Sequence, residues 1–321
     1  MDKLVFILSI SFGSLLLAYL LRLFALAARL ADAARLERFS IRLKLVTVVA
    51  FYPLPILNSF WKVPLDYPGF AVYPWLGLLY FAAGGAAAIA AARLFRIPPG
   101  RAASVFTCSM FANIGAFASL AAFVLYGTEG FLIVQLMAFF EVFMYYVIGF
   151  PLSRAVARGD LRQFKLSWGL IKENSISLLP IAAILVGLGL NAAGAPRPEW
   201  LELISGFLVL SFGGVLGLSI GLTLQPGRIA VYGRELGLIA AVKFAVIPAV
   251  VIAAGAAARA GGLIDPIGFK VVVFFAFLPS AFTSLIPPSL YGFDLDLANS
   301  GWLVTTLAML VVFPILFLVA A

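Results

Sequence analysis

Two charged residues lie within long apolar stretches of the sequence. Glu141 occurs in QLMAFFEVFMYYV and Lys243 in LIAAVKFAVIP. A charged side chain inside a bilayer is costly unless it is paired or hydrated, and such residues commonly carry protons or attract ions. Glu141 is therefore a candidate proton carrier and Lys243 a candidate receptor for an anion. The sequence equally allows an ion pair between them, static or broken during a conformational cycle, and allows Lys243 to extend toward the membrane surface.

Polar and helix-breaking residues cluster at two further places in apolar surroundings. The stretch FANIG at 111–115 places an amide and a glycine where a helix interior disfavours both. The second stretch, at 279–288, contains three prolines, which lack a backbone donor. Next to them are hydroxyl side chains able to bond freed carbonyls or a ligand. Unwound backbone at membrane depth is tolerated only where it is buried in protein or lines an aqueous cavity. The candidate binding residues are Asn113, Gly115, Ser119, Pro279, Ser280, Thr283 and Ser284.

Five of these seven candidate residues lie in near-copies of one segment. Residues 115–127 read GAFASLAAFVLYG and residues 280–292 read SAFTSLIPPSLYG, so seven of thirteen positions agree at an offset of 165. The shared Tyr-Gly ending argues against chance similarity between two apolar helices. Matching helix breaks in the two halves of a membrane protein are the best sequence pointer to a transport site.

Composition defines the class of protein. The chain of 321 residues is 64% hydrophobic and 11% charged, which is too apolar for a soluble fold. It has one cysteine and no histidine, which excludes a disulfide framework and removes the usual ligand of zinc and haem. The net charge of +8 fits basic loops on one side of a bilayer better than nucleic-acid binding.

Apolar runs long enough to cross a bilayer follow one another with short connections. A spanning helix needs about 20 mostly apolar residues. The sequence therefore predicts an all-α polytopic membrane protein. Its ten transmembrane helices are expected near 4–28, 43–60, 73–95, 102–126, 130–151, 175–193, 202–224, 234–258, 267–291 and 297–320.

The ten predicted spans divide into two equivalent halves, because the 165-residue offset places spans 1 to 5 over spans 6 to 10. Since five is odd, the second half enters the membrane in the opposite orientation. The sequence thus predicts two inverted five-helix repeats, an architecture of secondary transporters. The polar clusters fall in helices 4 and 9, which we expect to be broken and to cross. The predicted domains are 1–152, a cytoplasmic linker at 153–174, and 175–321, with scaffold and transport parts interleaved.

Basic residues predict the orientation of these spans. Of the 22 Lys and Arg residues, 15 fall in loops after odd-numbered spans and five fall on the opposite side. The positive-inside rule then puts the odd loops in the cytoplasm and both termini outside. We expect a multi-pass protein of the cell's inner (plasma) membrane.

Three stretches of the sequence resemble a known family. They are FANIG (111–115), LPSAFTSLIPPSLYGFDLDLANSG (278–301) and LVTTLAMLVVFP (303–314). All three are similar to elements of the auxin efflux carrier family of membrane transporters, within the larger group that includes the bile-acid/sodium symporters. The resemblance implies a scaffold and a transport domain, elevator-type alternating access, and organic-anion substrates such as indole acetate or malonate.

The chain also departs from the family pattern. Leu120 stands where the family often has a proline after the span-4 crossover, and Thr283 stands where span 9 usually has an asparagine. The sodium-coupled relatives place a carboxylate near the span-9 crossover, and this sequence has none there. These departures favour uniport or proton coupling through Glu141 over high-affinity sodium sites.

The resulting prediction is a secondary transporter of a small organic anion and not an enzyme. Its partners are that anion and the lipid bilayer, without nucleic acid, and a homodimer is left open. No cofactor or metal is expected beyond Na⁺ or H⁺ as a coupling ion. Asp294 and Asp296 are expected to belong to an outer loop and a helix N-cap rather than to a metal pair. The alternatives are a bile-acid-type sodium symporter, a channel, a membrane sensor without transport, and an intramembrane lipid enzyme.

Overall fold

The computed structural model describes residues 2–64, 66–173, 175–224 and 229–320; Arg228, one of the basic loop residues, lies outside them. The structure is 82% helical, and its described residues contain no strand. Among those residues, eight helices are long and apolar enough to cross a membrane, as expected of a polytopic helical membrane protein. They are Asp2–Ala27, Ala33–Lys62, Tyr73–Leu94, Phe117–Ala157, Ser175–Ala192, Trp200–Thr223, Gly233–Ala260 and Leu295–Leu318.

Shorter helices complete the chain between these eight. Pro99–Met110 precedes the long helix Phe117–Ala157, and Pro266–Ala276 precedes a 3₁₀ turn at Phe282–Leu285. The remaining short helices are Leu161–Gln163, Gly169–Glu173, Ile229–Val231 and Ile286–Tyr291.

The second long helix begins earlier than its apolar run predicts. It starts at Ala33, ten residues before the predicted span at 43–60, because Asp32 caps it by accepting a hydrogen bond from Arg35 N at 2.6 Å. The helical stretch to Lys62 covers 30 residues, or about 45 Å at 1.5 Å per residue. That length matches a whole bilayer with its headgroup regions, so the basic first turns extend the span.

Two glycines with left-handed backbone angles end helical segments. Gly127 (φ 67°, ψ −153°) interrupts the stretch Leu120–Met137, and Gly292 (φ 71°) caps the helix Ile286–Tyr291. Glycine takes these angles without the Cβ clash that other residues meet. After Gly292, Asp294 accepts a hydrogen bond from Leu297 N at 2.9 Å, so the predicted helix cap is confirmed for Asp294, whereas Asp296 lies in the first turn of Leu295–Ala320.

The chain folds into two compact units, and each draws on both halves of the sequence. The first unit comprises Met1–Tyr67, Gly115–Gln135 and Ser175–Gln225. The second comprises Pro68–Ile114, Leu136–Asn174 and Pro226–Ala321. The boundaries of these units differ from the predicted division at 152 and 174. That division describes sequence repeats, not packed units, and it stays a prediction.

Close helix packing in the first unit depends on small residues. The helix Trp200–Thr223 packs along Ser14–Ala27, and a Cβ atom on Gly221 would lie 2.3 Å from the Leu15 carbonyl oxygen. Small residues permit this approach of two membrane helices. Where Trp200–Thr223 also packs on Ala33–Val46, Ser40 and Ser219 exchange hydrogen bonds of 2.8 to 3.0 Å.

The second unit is built in the same way around Tyr73–Leu94. A Cβ atom on Gly77 would lie 1.7 Å from the Met137 carbonyl oxygen, and one on Gly84 would lie 2.7 Å from the Ser109 carbonyl oxygen. Both glycines therefore let the helix contact neighbouring backbone directly. This packing surrounds the end of Pro99–Met110, where the candidate site begins.

Candidate functional site

The helix Pro99–Met110 ends in the interior of the second unit. Phe111 leaves the helix with extended angles (φ −86°, ψ 136°), and the chain resumes as a π-helical turn at Ile114–Ser119. Asn113 and Gly115 flank the restart, and both residue types weaken a helix interior. The interruption thus coincides with the FANIG stretch.

A second interruption follows the helix Pro266–Ala276. The chain becomes extended by Ala281 (φ −72°, ψ 153°) after passing Pro279, which has no N–H to continue the helix. Pro287 and Pro288 then lie in the first turn of Ile286–Tyr291, where a missing N–H costs no intrahelical bond. These two prolines start a helix, and Pro279 marks the break.

The two interrupted segments pair with each other through their backbones. They form an isolated antiparallel bridge closed by two hydrogen bonds. Asn113 N–H donates to the Pro279 carbonyl at 3.0 Å, and Ala281 N–H donates to the Phe111 carbonyl at 3.1 Å. A bilayer interior supplies no water to bond exposed backbone groups. Pairing of this kind therefore satisfies the N–H and C=O groups of an extended segment at membrane depth.

Lys243, on a neighbouring helix, donates a hydrogen bond to the backbone at the first break. Its ammonium group donates to the Phe111 carbonyl at 2.6 Å and to the Tyr80 hydroxyl at 3.0 Å. The Tyr80 hydroxyl donates in turn to the Leu278 carbonyl at 3.1 Å, beside the second break. Lys243 is 0% exposed and lies in the π-helical turn Val242–Val246, a local widening that is frequent at functional sites.

Tyr145 forms hydrogen bonds with Ala112, the next residue of the first break. Its hydroxyl accepts a hydrogen bond from Ala112 N at 2.8 Å and donates to Ala112 O at 3.1 Å. Its ring stacks on Phe111 with centroids 4.2 Å apart. Glu141, which is half-buried, lies one helical turn before Tyr145. The acid predicted as a proton carrier is therefore one helical turn away from a side chain that bonds the unwound backbone.

The predicted hydroxyl residues around the second break have distinct environments. Ser280 is fully buried and donates to the Cys108 carbonyl at 2.6 Å, and Ser284 donates to the Ala281 carbonyl at 2.7 Å. Thr283 is half-buried, and Asn113 is 8% exposed. Within the described residues, the side chains of Thr283 and Asn113 make no hydrogen bond.

Gly115 and Ser119 belong to the first unit. A Cβ atom on Gly115 would lie 2.7 Å from the Phe212 ring, so this position is closely packed. The Ser119 hydroxyl accepts a hydrogen bond of 3.0 Å from the Gln135 amide, which is 2% exposed. The amide oxygen of Gln135 accepts another, of 2.9 Å, from Tyr52. A short polar chain thus ends at Ser119.

The structure places the predicted residues in two groups. Pro279, Ser280, Thr283, Ser284 and Asn113 share the second unit with both charged residues, whereas Gly115 and Ser119 are in the first unit. Among the ion pairs of the described residues, none joins Glu141 to Lys243. Lys243 instead donates to the Phe111 carbonyl at the first break and to the Tyr80 hydroxyl.

Three residues of this arrangement were not predicted from the sequence. Gln135 carried a usable signal, since an amide in an apolar run must find partners at membrane depth. Tyr80 and Tyr145 carried none, because tyrosine is common in spanning helices and at interfaces alike. Their roles appear only when the backbone breaks are located.

The geometry supports recognition of a small polar ligand. The breaks leave an amide and a hydroxyl side chain free beside helix ends, whose partial charges attract ions of either sign. Within the described residues, no group of three or more Cys, Asp or Glu side chains is placed to bind a metal.

These features define a multi-pass helical membrane protein with paired breaks in two of its helices. No family model matches the chain, and no curated protein matches it.

Proposed function

We propose that this chain is a secondary transporter of a small organic anion that works by elevator-type alternating access. The observation that carries the proposal is the backbone pairing of two interrupted helices, Asn113 with Pro279 and Ala281 with Phe111. Discontinuous helices near the bilayer midplane form the substrate and ion sites of many transporters, because their ends present partial charges to a ligand.

A count of ten spans is supported by the length of one helical stretch. Phe117–Ala157 covers 41 residues, or about 60 Å of helix, which is twice the roughly 30 Å of a hydrocarbon core. It contains the left-handed Gly127, so we divide it there. Its first part then completes the span begun at Pro99–Met110, and Pro266–Ala276 with Ile286–Tyr291 makes the ninth span.

An internal repeat is supported by the register of the helices. Moved by the 165-residue offset, the bounds of Pro99–Met110 fall on 264–275, and the corresponding helix is Pro266–Ala276. The end of Asp2–Ala27 falls on residue 192, where Ser175–Ala192 ends. Gly127 falls on Gly292, and both have positive φ. With five spans per repeat, the two halves have opposite orientations.

An anionic substrate is favoured by the helix dipoles and the neutral hydrogen-bond donors at the breaks. The half-helices that restart after Asn113 and after Ala281 direct N-terminal N–H groups toward the unwound chain. The free Asn113 amide and Thr283 hydroxyl add neutral donors suited to a carboxylate. We keep the resemblance to auxin efflux carriers, the plasma-membrane location, external termini and uniport or proton coupling through Glu141 as parts of this proposal.

Transport in liposomes tests the proposal. Purified protein is reconstituted, and uptake of radiolabelled malonate and indole-3-acetate is measured with and without the unlabelled acid inside. We expect saturable uptake that trans acid accelerates, as a carrier requires. Asn113→Leu removes the free amide and should abolish uptake while the folded yield, judged by size-exclusion chromatography, survives.

Asn299→Leu is the matched control, because it makes the same exchange at a half-buried position beyond the breaks. Undiminished uptake by Asn113→Leu would refute the site. Non-saturable flux would instead indicate a channel, ligand binding without flux would indicate a sensor, and flux that requires Na⁺ would indicate a symporter.

A further inference from the structure

Lys243 has an unusual position for a charged side chain, since it is fully buried and hydrogen-bonded to backbone. Its two partners, the Phe111 carbonyl and the Tyr80 hydroxyl, are both uncharged, at 2.6 and 3.0 Å. A buried charge normally needs a counter-charge or a strong dipole. Within the described residues no carboxylate forms an ion pair with Lys243, so the compensating charge must come from elsewhere.

The end of Pro99–Met110 supplies that compensation. The last carbonyls of a helix carry about half a negative charge, and Phe111 is the C-cap residue of this one. The Phe111 carbonyl already accepts a hydrogen bond from Ala281 N, so the ammonium group adds charge compensation to a partly satisfied oxygen. The partial negative charge of the helix end thus compensates the positive charge of the buried Lys243 ammonium group.

A dissociable cation would bind at the same kind of place. Carbonyls of unwound segments and C-terminal ends of half-helices are the groups that coordinate coupling cations in transporters. Here a covalently attached ammonium group donates to one such oxygen, the Phe111 carbonyl. The equivalent position in the other half, at the 165-residue offset, is Leu78, so only one half of the sequence has a lysine at this position.

We propose that the Lys243 ammonium group is a built-in cation, which occupies the helix end where a coupling cation would otherwise bind and makes the folded protein independent of Na⁺. The consequence for coupling rests on the proposed transport function, but occupancy of the helix end does not. Lys243 is then a positioning residue for the Phe111 carbonyl rather than a receptor for the anionic substrate, since its side chain is 0% exposed.

Thermal unfolding of the purified protein in detergent tests the proposal without any transport assay. Wild-type protein should unfold at the same temperature in NaCl, KCl and choline chloride. Lys243→Ala empties the position and should lower the unfolding temperature by several degrees. Methylammonium, which has N–H donors and fits the vacated space, should restore part of that loss, whereas tetramethylammonium should not.

Lys243→Met is the control that fills the space without charge. It should also unfold at a lower temperature than wild type, and methylammonium should not restore it. The proposal is overturned if Na⁺ stabilises the wild type, if Lys243→Met is as stable as wild type, or if the two ammonium salts act equally on Lys243→Ala. If Lys243→Ala does not fold, the wild-type salt series and Lys243→Met still decide the question.

Flux measurements separate this inference from the proposed function. Replacing Na⁺ by choline on both sides of the liposome should leave malonate uptake unchanged. Absence of any uptake would refute the transporter and leave the unfolding results standing. Uptake that occurs together with Na⁺-dependent stability would refute the built-in cation alone.

Discussion

Replacement of Tyr145 by phenylalanine isolates one hydroxyl group at the first helix break. In the wild type this hydroxyl satisfies both backbone groups of Ala112, at 2.8 and 3.1 Å. Phenylalanine keeps the ring that stacks on Phe111 with centroids 4.2 Å apart. The change therefore removes hydrogen bonds while the packing and volume stay nearly constant.

The two backbone groups are affected unequally. The Ala112 carbonyl keeps a hydrogen bond of 2.9 Å from Ile114 N, whereas the described residues give the Ala112 N–H no partner other than Tyr145. A buried donor left without a partner costs about 1–3 kcal/mol. We expect Tyr145→Phe to lower the free energy of unfolding by about 2 kcal/mol, most of it from this one N–H group.

Unfolding by SDS titration in mixed micelles, followed by circular dichroism, measures this difference. Tyr126→Phe is the matched control, because its half-buried hydroxyl has no hydrogen-bond partner among the described residues. The control should change the free energy of unfolding by less than about 0.5 kcal/mol. If Tyr145→Phe is as stable as Tyr126→Phe, the hydroxyl does not hold the break and the reasoning fails.

Two further predictions concern the polar contacts of Gln135 and the packing of Gly77. Gln135→Leu removes the hydrogen bonds that its amide makes with Ser119 and Tyr52, and should lower the free energy of unfolding by about 1–3 kcal/mol in the same titration. Gly77→Ala places a Cβ atom 1.7 Å from the Met137 carbonyl oxygen, and should reduce the thermal unfolding temperature and the folded yield. Gly100→Ala has open space around its Cβ position and should leave both unchanged, and equal behaviour of the two glycine variants would contradict the packing argument.

Much of the helical layout is predictable from the sequence because apolar length is a local property. The coarse prediction of a polytopic all-helical membrane protein is confirmed, and the start of the second helix at Ala33 is the clearest difference. The apolar run alone placed that start too late, because a capped amphipathic turn can continue a spanning helix into the headgroup region. The inverted repeat and the count of ten spans stay predictions.

The candidate site is predictable only in part, for a physical reason. Lys243 stands out in the sequence because a charge among apolar residues is rare, but its main partner is a backbone carbonyl at Phe111. Every residue has a carbonyl, so no residue type signals this contact. The same limit applies to Tyr145, whose partners are backbone groups of Ala112.

The two breaks pair through main-chain groups, and this affects how the sequence can vary at these positions. The N–H groups of residues 113 and 281 and the carbonyls of residues 111 and 279 are supplied by almost any amino acid. Only proline at 113 or 281 would remove a bond, since it alone lacks an N–H. The side chains at these four positions can consequently change without loss of the two main-chain hydrogen bonds that pair the breaks.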